Sequence, residues 1–162
     1  MTVTIAPLDQ ADFGSVLPIA RRVVAEGETY PLPRDLPDAG IRDYFHRPGN
    51  LVFRAAWEAA PAGLYYLRAN NPGPGAHVAN AGYMVAPEMR GRGIARAMAL
   101  HSFEIARAMG FRAMQFNLVI ASNAPAVHLW QSVGMKIVGT QPKVFDHPRL
   151  GLVDAYVMHQ FL

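Results

Sequence analysis

The stretch "YMVAPEMRGRGIARAM", residues 83–98, decides the fold because it contains the end of a strand, a glycine loop and the start of a helix. Its apolar beginning is typical of a strand, and residues 92–109 then repeat apolar side chains at the helical period. Gly91 and Gly93 therefore precede the first helical turn, where unpaired N–H groups and the positive end of the helix macrodipole favour phosphate oxygens. The stretch predicts a phosphate site, although an ordinary glycine turn with solvated arginines fits the same residues.

Strand and helix patterns continue on both sides of this unit. Asp9 is placed to cap a helix that Pro18 kinks and Gly27 ends, and a proline-rich loop leads on to a short helix near 41–45. The other predicted elements are strands at 2–8, 50–58, 63–70, 77–85, 112–120, 135–141 and 152–162, and a helix within 122–134. This order predicts an α/β or α+β mixed sheet in a single domain spanning 1–162.

The composition limits the classes of function. A chain of 162 residues, 51% of them hydrophobic, has the material for one compact core. Its formal charge of +3 comes from 15 basic and 12 acidic residues spread along the chain, which favours small anionic ligands over a nucleic-acid surface. The absence of cysteine excludes disulfides and a thiol nucleophile. Without a signal-like N-terminus or a long apolar run, we expect a soluble cytoplasmic protein.

Other ligand-binding patterns are absent from the sequence. There is no G-x-x-x-x-G-K-[ST] phosphate loop, and no G-x-G-x-x-G followed by an acidic residue about 20 positions later. His77, His147 and His159 have no spacing that indicates a metal site, and we interpret His101 as a packed histidine at the edge of the core. The glycine loop is therefore the main sequence signal for a ligand.

A second segment, "NAPAVHLWQSVGM" at 123–135, follows the loop, its helix and the next strand. Together with 83–98 it resembles the GCN5-related N-acetyltransferase superfamily, whose acetyl-CoA loop has the pattern Q/R-x-x-G-x-G/A. Arg90, Gly93 and Ala95 fill that pattern here. The resemblance implies a central mixed sheet of about seven strands, splayed between the fourth and fifth strands and flanked by about four helices.

The resemblance also implies an acetyl-CoA site without a metal. The open edge of the fourth strand near Met84 and Val85 would pair with the pantetheine arm, while the backbone amides of 90–95 would hold the pyrophosphate. Asn123 would contact the pantetheine from the other side. The implied cofactor contacts are Met84, Val85, Arg90, Gly91, Arg92, Gly93, Ile94, Ala95 and Asn123.

The chain departs from the family pattern at two positions. Family members often have a Glu on the fourth strand that helps to deprotonate the amine, and a Tyr in the Asn-led helix that protonates the leaving thiolate. Asn80 occupies the first position and Trp130 the second. Since neither an amide nor an indole exchanges a proton at ordinary pH, the sequence leaves the sources of the base and the acid open.

Two asparagines inside predicted strands are the candidate catalytic residues. Asn is disfavoured in strands and a buried amide needs partners, so Asn80 and Asn117 are unusual at these positions, although Asn80 also fits a strand end or bulge. The segments "EGETYP", "ANAGYMV" and "FNLVIASN" resemble the fungal acetyltransferases that act on azetidine-2-carboxylate and related proline analogues. In those enzymes the corresponding asparagines handle the substrate's amine and carboxylate. The implied acceptor contacts are Asn80, Asn117, Glu28, Thr29 and Tyr30, of which the last three also fit an ordinary helix exit.

The sequence thus predicts an enzyme that transfers an acetyl group from acetyl-CoA to the amine of a small molecule. The most specific prediction for this acceptor is a cyclic or other small amino acid, such as a proline analogue. Acetylation of a polyamine or of a protein N-terminus is the alternative enzyme function, and a non-catalytic acyl-CoA-binding module is the alternative without catalysis. The expected partners are acetyl-CoA and the amine, with no nucleic acid, membrane or metal. A homodimer is also expected, although no segment of the sequence fixes the oligomeric state.

Overall fold

One seven-stranded mixed sheet forms the centre of the computed structural model, which describes residues 2–162. The strands are β1 (Val3–Pro7), β2 (Leu51–Trp57), β3 (Ala60–Ala69), β4 (Val78–Val85), β5 (Ala113–Ile120), β6 (Lys136–His147) and β7 (Gly151–Phe161). The α-helices are α1 (Leu17–Glu26), α2 (Asp38–Phe45), α3 (Ile94–Ala108) and α4 (Ala124–Ser132). The predicted fold class is confirmed. None of the helices within 2–162 is long and apolar enough to cross a membrane.

The strand order is β1-β2-β3-β4-β5-β7-β6, and β4 and β5 are parallel neighbours joined through α3. They pair only through Val78 with Ala113 and Ala79 with Met114. Beyond these residues the two strands diverge, so their carboxyl ends border an open cleft, which we call the fork. The fork confirms the predicted splay between the fourth and fifth strands.

Helices cover both faces of the sheet. On the face that we call the α3 face, Met98 of α3 and Trp130 of α4 are buried in one apolar cluster. On the opposite α1–α2 face, Phe45 belongs to a second cluster formed with α1 and α2. Because side chains alternate along a strand, Ala81 of β4 lies in the first cluster and Met84 in the second. Even-numbered residues of β4 therefore point to the α1–α2 face.

The segment that leads into α1 differs from the prediction. Gln10–Ser15 forms a separate 3-10 helix, and the Asp9 side chain in front of it makes no capping hydrogen bond. α1 begins at Leu17, which places Pro18 in its first turn, where a missing N–H costs nothing and no kink results. Gly27 ends α1 in the left-handed conformation at φ 67°, as predicted. The predicted continuous helix from Asp9 was wrong.

The β6–β7 hairpin is longer than its sequence pattern indicates. The predicted strands end at 141 and resume at 152, whereas β6 runs on to His147 and β7 starts at Gly151. The register between the two strands is interrupted between Gln141 and Phe145, and Lys143 adopts a positive φ of 50° there. This irregularity hides the continuation of the strand from a period-two pattern.

Candidate active site

Asn80 lies at the point where β4 and β5 separate. It directly follows the last β4 residue that pairs with β5, and its Nδ2 donates a hydrogen bond to the carbonyl oxygen of Gln115 on β5, at 2.9 Å. Its Oδ1 accepts a longer hydrogen bond from the Tyr66 hydroxyl, at 3.4 Å. Asn80 is only 5% exposed, so both ends of its amide need these partners. The side chain bridges the two strands where their backbone pairing stops.

The rest of β4 has a strand neighbour on one edge. Met84 pairs with Leu64 and Val85 with Gly63 on β3, but no described residue of β5 pairs with 80–85. Met84 is buried on the α1–α2 face and Val85 is half-buried. An unpaired strand edge offers backbone N–H and C=O groups to an extended ligand. The two residues predicted to contact pantetheine therefore line the fork.

The loop before α3 has the conformation that its glycines allow. Gly91 and Gly93 have φ angles of 78° and 77°, a region that other residues rarely adopt. A Cβ atom at either glycine would meet no atom within 4 Å, so the backbone borders open space. Ile94 is buried and Ala95 half-buried at the start of α3, whose first N–H groups have no partner within the helix. This open, donor-rich backbone fits a pyrophosphate group.

The arginines of the loop are held by the surrounding elements. Arg90 forms an ion pair with Glu26 at the end of α1, at 2.8 Å. The Arg92 guanidinium lies 5.8 Å from the centre of the Trp57 ring on β2, and Arg96 donates a hydrogen bond to a serine hydroxyl on α4, at 3.1 Å. These contacts fix the loop, through Arg90 and Arg92, and the first turn of α3, through Arg96, against three elements. The backbone is therefore the part of the loop best placed to bind an anion.

Asn123 lies on the other side of the fork, between the end of β5 and the start of α4. Its Oδ1 accepts a hydrogen bond from the N–H of Ala126 at 3.4 Å, so the predicted helix cap is confirmed. The residue is half-buried, and its Nδ2 has no hydrogen-bond partner among residues 2–162. The side chain therefore caps α4 and keeps a donor for a ligand.

Asn117 lies on β5, on the same α1–α2 face as Asn80, and is exposed. Its Nδ2 donates to the side-chain oxygen of Asn70 at 2.7 Å, and its Oδ1 accepts from the side chain of Gln115 at 3.0 Å. Its backbone carbonyl accepts from the Gln141 side chain at 2.6 Å. Gln115 thus links the two asparagines, since its carbonyl bonds one and its side chain the other.

Both asparagines keep spare donor capacity. An asparagine amide has two N–H bonds. In Asn80 and in Asn117, one N–H has a protein partner, and the second has none in the described part of the chain. The pair can therefore donate hydrogen bonds to two ligand oxygens on the same side of the sheet.

The loop after α1 brings Tyr30 to this face. A Cβ at Gly82 of β4 would lie 2.8 Å from the Tyr30 hydroxyl and 2.6 Å from a ring carbon of Tyr66, so glycine is needed for both rings to lie there. The Tyr30 hydroxyl is buried and has no hydrogen-bond partner among the residues that the structure describes. Burial, reinforced by the neighbouring tyrosines, raises the pKa of this hydroxyl well above 10. It therefore stays protonated and can donate.

The other two residues predicted with Tyr30 lie apart from the asparagines. Glu28 forms an ion pair with Arg149 at 2.9 Å, and its second oxygen is 4.0 Å from the imidazole of buried His147. Thr29 is half-buried, and its hydroxyl has no hydrogen-bond partner among residues 2–162. A cleft of about 640 Å³ separates this loop from the end of the β6–β7 hairpin, and Tyr30 contributes to its wall. Of the three, Tyr30 is the one that the structure brings to β4.

Trp130 and His101 both pack against aromatic rings, and for His101 this is the role that the sequence predicts. Trp130 is 9% exposed, and its ring centre lies 5.0 Å from that of Tyr83 and 5.1 Å from that of Phe116. The His101 Nδ1 lies 2.6 Å from the Tyr65 hydroxyl, and partial burial lowers the pKa of His101. Both side chains lie on the α3 face, and Trp130 contacts both β4 and β5 where the two strands have separated.

Several residues on the α1–α2 face, among them Arg68, were not predicted from the sequence. A period-two pattern in "GLYYLRAN" puts Arg68 on the same face as Tyr66, and a single charge in an apolar strand is a usable signal. Gln115 gives no such signal, because its contact with Asn80 depends on how β4 and β5 are paired. The further residues that the structure brings to this face are Tyr44, Tyr66, Asn70 and Gln115.

Comparison with known proteins identifies the family. The sequence model of the acetyltransferase (GNAT) family matches residues 18–135, which include the glycine loop and the Asn-led helix. The chain therefore belongs to the GNAT family of acetyltransferases. This membership confirms the class of enzyme that the sequence predicts.

Individual relatives agree with this assignment. N-acetyltransferase aca1 of Schizosaccharomyces pombe is 33% identical over 139 residues, which are 83% of this chain and 58% of that protein, so the chain spans little more than half of this relative. A GCN5-related N-acetyltransferase from Kribbella flavida has a TM-score of 0.92 at 39% identity, covering 99% of this chain and 98% of that one. A GNAT superfamily phosphinothricin acetyltransferase from Sinorhizobium meliloti, solved in complex with AcCoA, has a TM-score of 0.85 at 21% identity, covering 100% and 89%, and shares the fold.

Proposed function

We propose that this protein transfers the acetyl group of acetyl-CoA to the amine of a small amino acid, with a proline analogue such as azetidine-2-carboxylate as the best-fitting acceptor. The observation that carries the proposal is the pair Asn80 and Asn117 at the fork, on one sheet face and each with a spare N–H. An acceptor with both an amine and a carboxylate can use such a pair. The resemblance of these strands to the fungal proline-analogue acetyltransferases supports the same acceptor.

The cofactor would lie along the fork. The backbone of 90–95 would hold the pyrophosphate, because it combines open space at Gly91 and Gly93 with the first N–H groups of α3. The free edge of β4 at Met84 and Val85 would pair with the pantetheine arm, and Asn123 would contact it from α4. A cofactor placed in this way directs its thioester toward Asn80. The Sinorhizobium relative, which shares the fold, was solved in complex with AcCoA, and this supports acetyl-CoA as the ligand.

The chemistry requires a neutral amine and stabilisation of a developing negative charge. The amine lone pair attacks the thioester carbonyl carbon, a C–N bond forms, and the C–S bond breaks as the thiolate leaves. A spare N–H of Asn80 would donate to the carbonyl oxygen, or its Oδ1 would accept from an amine N–H and hold the amine in line with its lone pair free. Because Asn80 cannot accept a proton, the amine proton would leave through water and the thiolate would regain one in the same way. Asn80 would thus act by orientation and hydrogen bonding.

Tyr30 would form part of the acceptor pocket. Its hydroxyl is a protonated donor without a partner among residues 2–162, and it lies over Gly82, two residues along β4 from Asn80. Its ring adds an apolar wall that suits a small ring or an aliphatic side chain. Glu28 and Thr29 would line the outer part of the pocket, toward the β6–β7 hairpin.

A polyamine is a weaker match to this pocket. A polycation needs carboxylates, and the nearest acidic residue of the loop, Glu28, is paired with Arg149. The structure gives no comparable argument for a protein N-terminus or for a non-catalytic role. These remain as outcomes of the experiment below.

Location and assembly also belong to the proposal. We place the protein in the cytoplasm as a homodimer. Val144, Leu150 and Leu152 lie near the turn of the β6–β7 hairpin and are 47%, 60% and 60% exposed, which supports an apolar contact with a second copy. Sedimentation velocity of the wild type and of a Leu152→Lys variant should give a dimer and a monomer, respectively.

The test is an amine panel with detection of free thiol. Azetidine-2-carboxylate should release thiol from acetyl-CoA faster than spermidine or a peptide with a free N-terminus. Asn117→Asp should depress turnover of azetidine-2-carboxylate strongly, because the new charge repels the substrate carboxylate, whereas a substrate without a carboxylate should tolerate it. Normal activity of Asn117→Asp on the cyclic amino acid would remove the proposed contact. Binding of acetyl-CoA without thiol release for any amine would establish the non-catalytic alternative.

A further inference from the structure

The guanidinium of Arg68 has no assigned role in the site described above. Arg68 lies on β3 directly opposite Asn80 of β4 in the antiparallel register. Directly opposed residues point to the same face, so Arg68 shares the α1–α2 face with the catalytic candidate. It therefore stands one strand away from the fork.

Arg68 carries an unsatisfied donor. Its Nε atom is buried and has no hydrogen-bond partner among the described residues. The guanidinium lies 5.9 Å from the centre of the Tyr66 ring, a contact that offsets part of the cost of burial but satisfies no N–H. Buried arginine donors are normally paired, and Arg42 Nε is the other arginine donor in residues 2–162 that is buried without a partner. Arg68 Nε differs in lying opposite Asn80, where the acceptor that it lacks would be a ligand oxygen.

The charge of Arg68 is also uncompensated. No carboxylate oxygen in residues 2–162 lies within 4.0 Å of it, whereas Arg90 and Arg149 each have an acidic partner. Burial raises the pKa of Tyr44, and the positive charges of Arg47 and Arg68 oppose that rise. The Tyr66 ring lies between the two groups, 5.9 Å from the Arg68 guanidinium and 5.9 Å from the Tyr44 ring, so the charge of Arg68 lies close to this group of tyrosines.

We propose that Arg68 binds the carboxylate of the acetyl acceptor, so that the substrate class is an α-amino acid or a cyclic amino acid rather than a simple amine. This inference rests on the proposed function. The planar guanidinium matches a carboxylate in geometry as well as in charge. With one carboxylate oxygen at Arg68 and the other at the Asn117 amide, the amine, which is two bonds from the carboxylate carbon, lies toward Asn80 and the fork. The rings of Tyr30, Tyr44 and Tyr66 then enclose the small side chain or ring.

The experiment compares two acceptors that differ at the carboxylate, azetidine-2-carboxylate and azetidine-2-carboxamide, in the wild type and in Arg68→Gln. Loss of a charge-assisted hydrogen bond should lower kcat/KM for the carboxylate by about 30-fold or more, while the value for the carboxamide changes by less than about threefold. Each acceptor is compared with itself across variants, which cancels the difference in amine basicity. Arg68→Lys should recover part of the loss for the carboxylate, since it restores the charge without the planar fork.

Controls separate a binding role from a structural one. Arg54→Gln removes an exposed arginine from the neighbouring strand β2 and should leave both acceptors unaffected. The acetyl-CoA Kd of Arg68→Gln, measured by calorimetry, should equal that of the wild type. An equal loss of kcat/KM for both acceptors, or no loss for the carboxylate, would overturn the proposal.

A binding measurement keeps the inference testable if no amine is turned over. Calorimetry of the wild type with acetyl-CoA present should detect azetidine-2-carboxylate but bind the carboxamide at least about tenfold more weakly, and Arg68→Gln should lose that preference. This result would support the carboxylate site even though the proposed function had failed. Equal affinity of the wild type for the two compounds would refute it.

Discussion

The two sides of the fork are built in different ways. The side that we propose for the cofactor is consecutive backbone, from the free edge of β4 through the glycine loop to the first turn of α3. The side that we propose for the acceptor is formed by single side chains from separate elements: Tyr30 from a loop, Arg68 from β3, Asn80 from β4 and Asn117 from β5. The cofactor is common to the family, and backbone can bind it with little dependence on side chains. The acceptor side can therefore change residue by residue without disturbing the cofactor side.

The largest loss of stability is expected at Trp130, which packs on the α3 face against both β4 and β5. Trp130→Ala should lower the free energy of unfolding by about 3–5 kcal/mol, because it leaves a cavity between Tyr83 and Phe116. Urea denaturation measures the change. Trp130→Phe should stay folded and keep most of the turnover, since the indole N–H donates no proton to the thiolate. A folded but inactive Phe variant would mean that Trp130 takes part in the chemistry.

The second largest effect is expected on the acceptor side of the fork, at Asn117. Asn117→Ala should reduce transition-state stabilisation by about 2–4 kcal/mol, seen as a loss of kcat/KM for the acceptor, while the acetyl-CoA Kd stays near the wild-type value. Gln141→Ala is the matched control, because it removes the hydrogen bond to the Asn117 carbonyl and leaves the Asn117 amide group in place. A parallel loss of acetyl-CoA affinity in Asn117→Ala would assign this residue to the cofactor side and would contradict the separation of the two sides.

The corresponding change on the cofactor side is Gly93→Val. A side chain at φ 77° is strained and would project into the open space next to the loop, so acetyl-CoA should bind on the order of 30-fold more weakly, or about 2 kcal/mol. Gly49→Val is the control, since Gly49 has φ 88° and equally open surroundings outside the site. It should show the strain as lost stability with no change in Kd. Unchanged acetyl-CoA affinity in folded Gly93→Val would remove the loop from the cofactor site.

The smallest effect is the pH dependence that His101, on the α3 face, adds to the free energy of unfolding. Burial lowers the pKa of His101 from its ordinary 6.5, and Glu104 opposes part of that shift. Below pH 6.5 the unfolded chain therefore binds a proton that the folded chain resists, so stability present above 6.5 declines as pH falls toward the folded pKa. In urea titrations between pH 7.5 and 5, His101→Gln should show a shallower decline than the wild type. An identical slope in the two proteins would exclude His101 as a contributor.

The fold and the geometry of the glycine loop and of the α4 cap could be predicted from the sequence because their signals are local. The strand, the glycines with positive φ and the amphipathic α3 follow one another, and Asn123 caps α4 as its position indicates. The start of α1 was predicted wrongly, since Asp9 and Pro18 fit a continuous helix as well as they fit a 3-10 turn followed by a new helix. Local patterns do not resolve such alternatives.

The acceptor side could be predicted only in part because it depends on pairing between distant strands. Asn80 and Asn117 were found as polar residues in apolar strands, but the contact through Gln115 follows from the β4–β5 register. Arg68 becomes notable only when its neighbours are known, since an arginine in a strand is usually solvated. Its buried, unpaired Nε is a property of the assembled fold.

The most direct test of the account is the stoichiometry of product formation by the wild type with acetyl-CoA and azetidine-2-carboxylate. Free thiol is measured by absorbance and the N-acetylated amino acid by mass spectrometry in the same reaction. We expect one N-acetyl product for each thiol released, and a strongly reduced rate of both in Asn80→Ala with acetyl-CoA still bound. Thiol release without N-acetylated product, or full activity of Asn80→Ala, would contradict acetyl transfer to an amino acid at the fork.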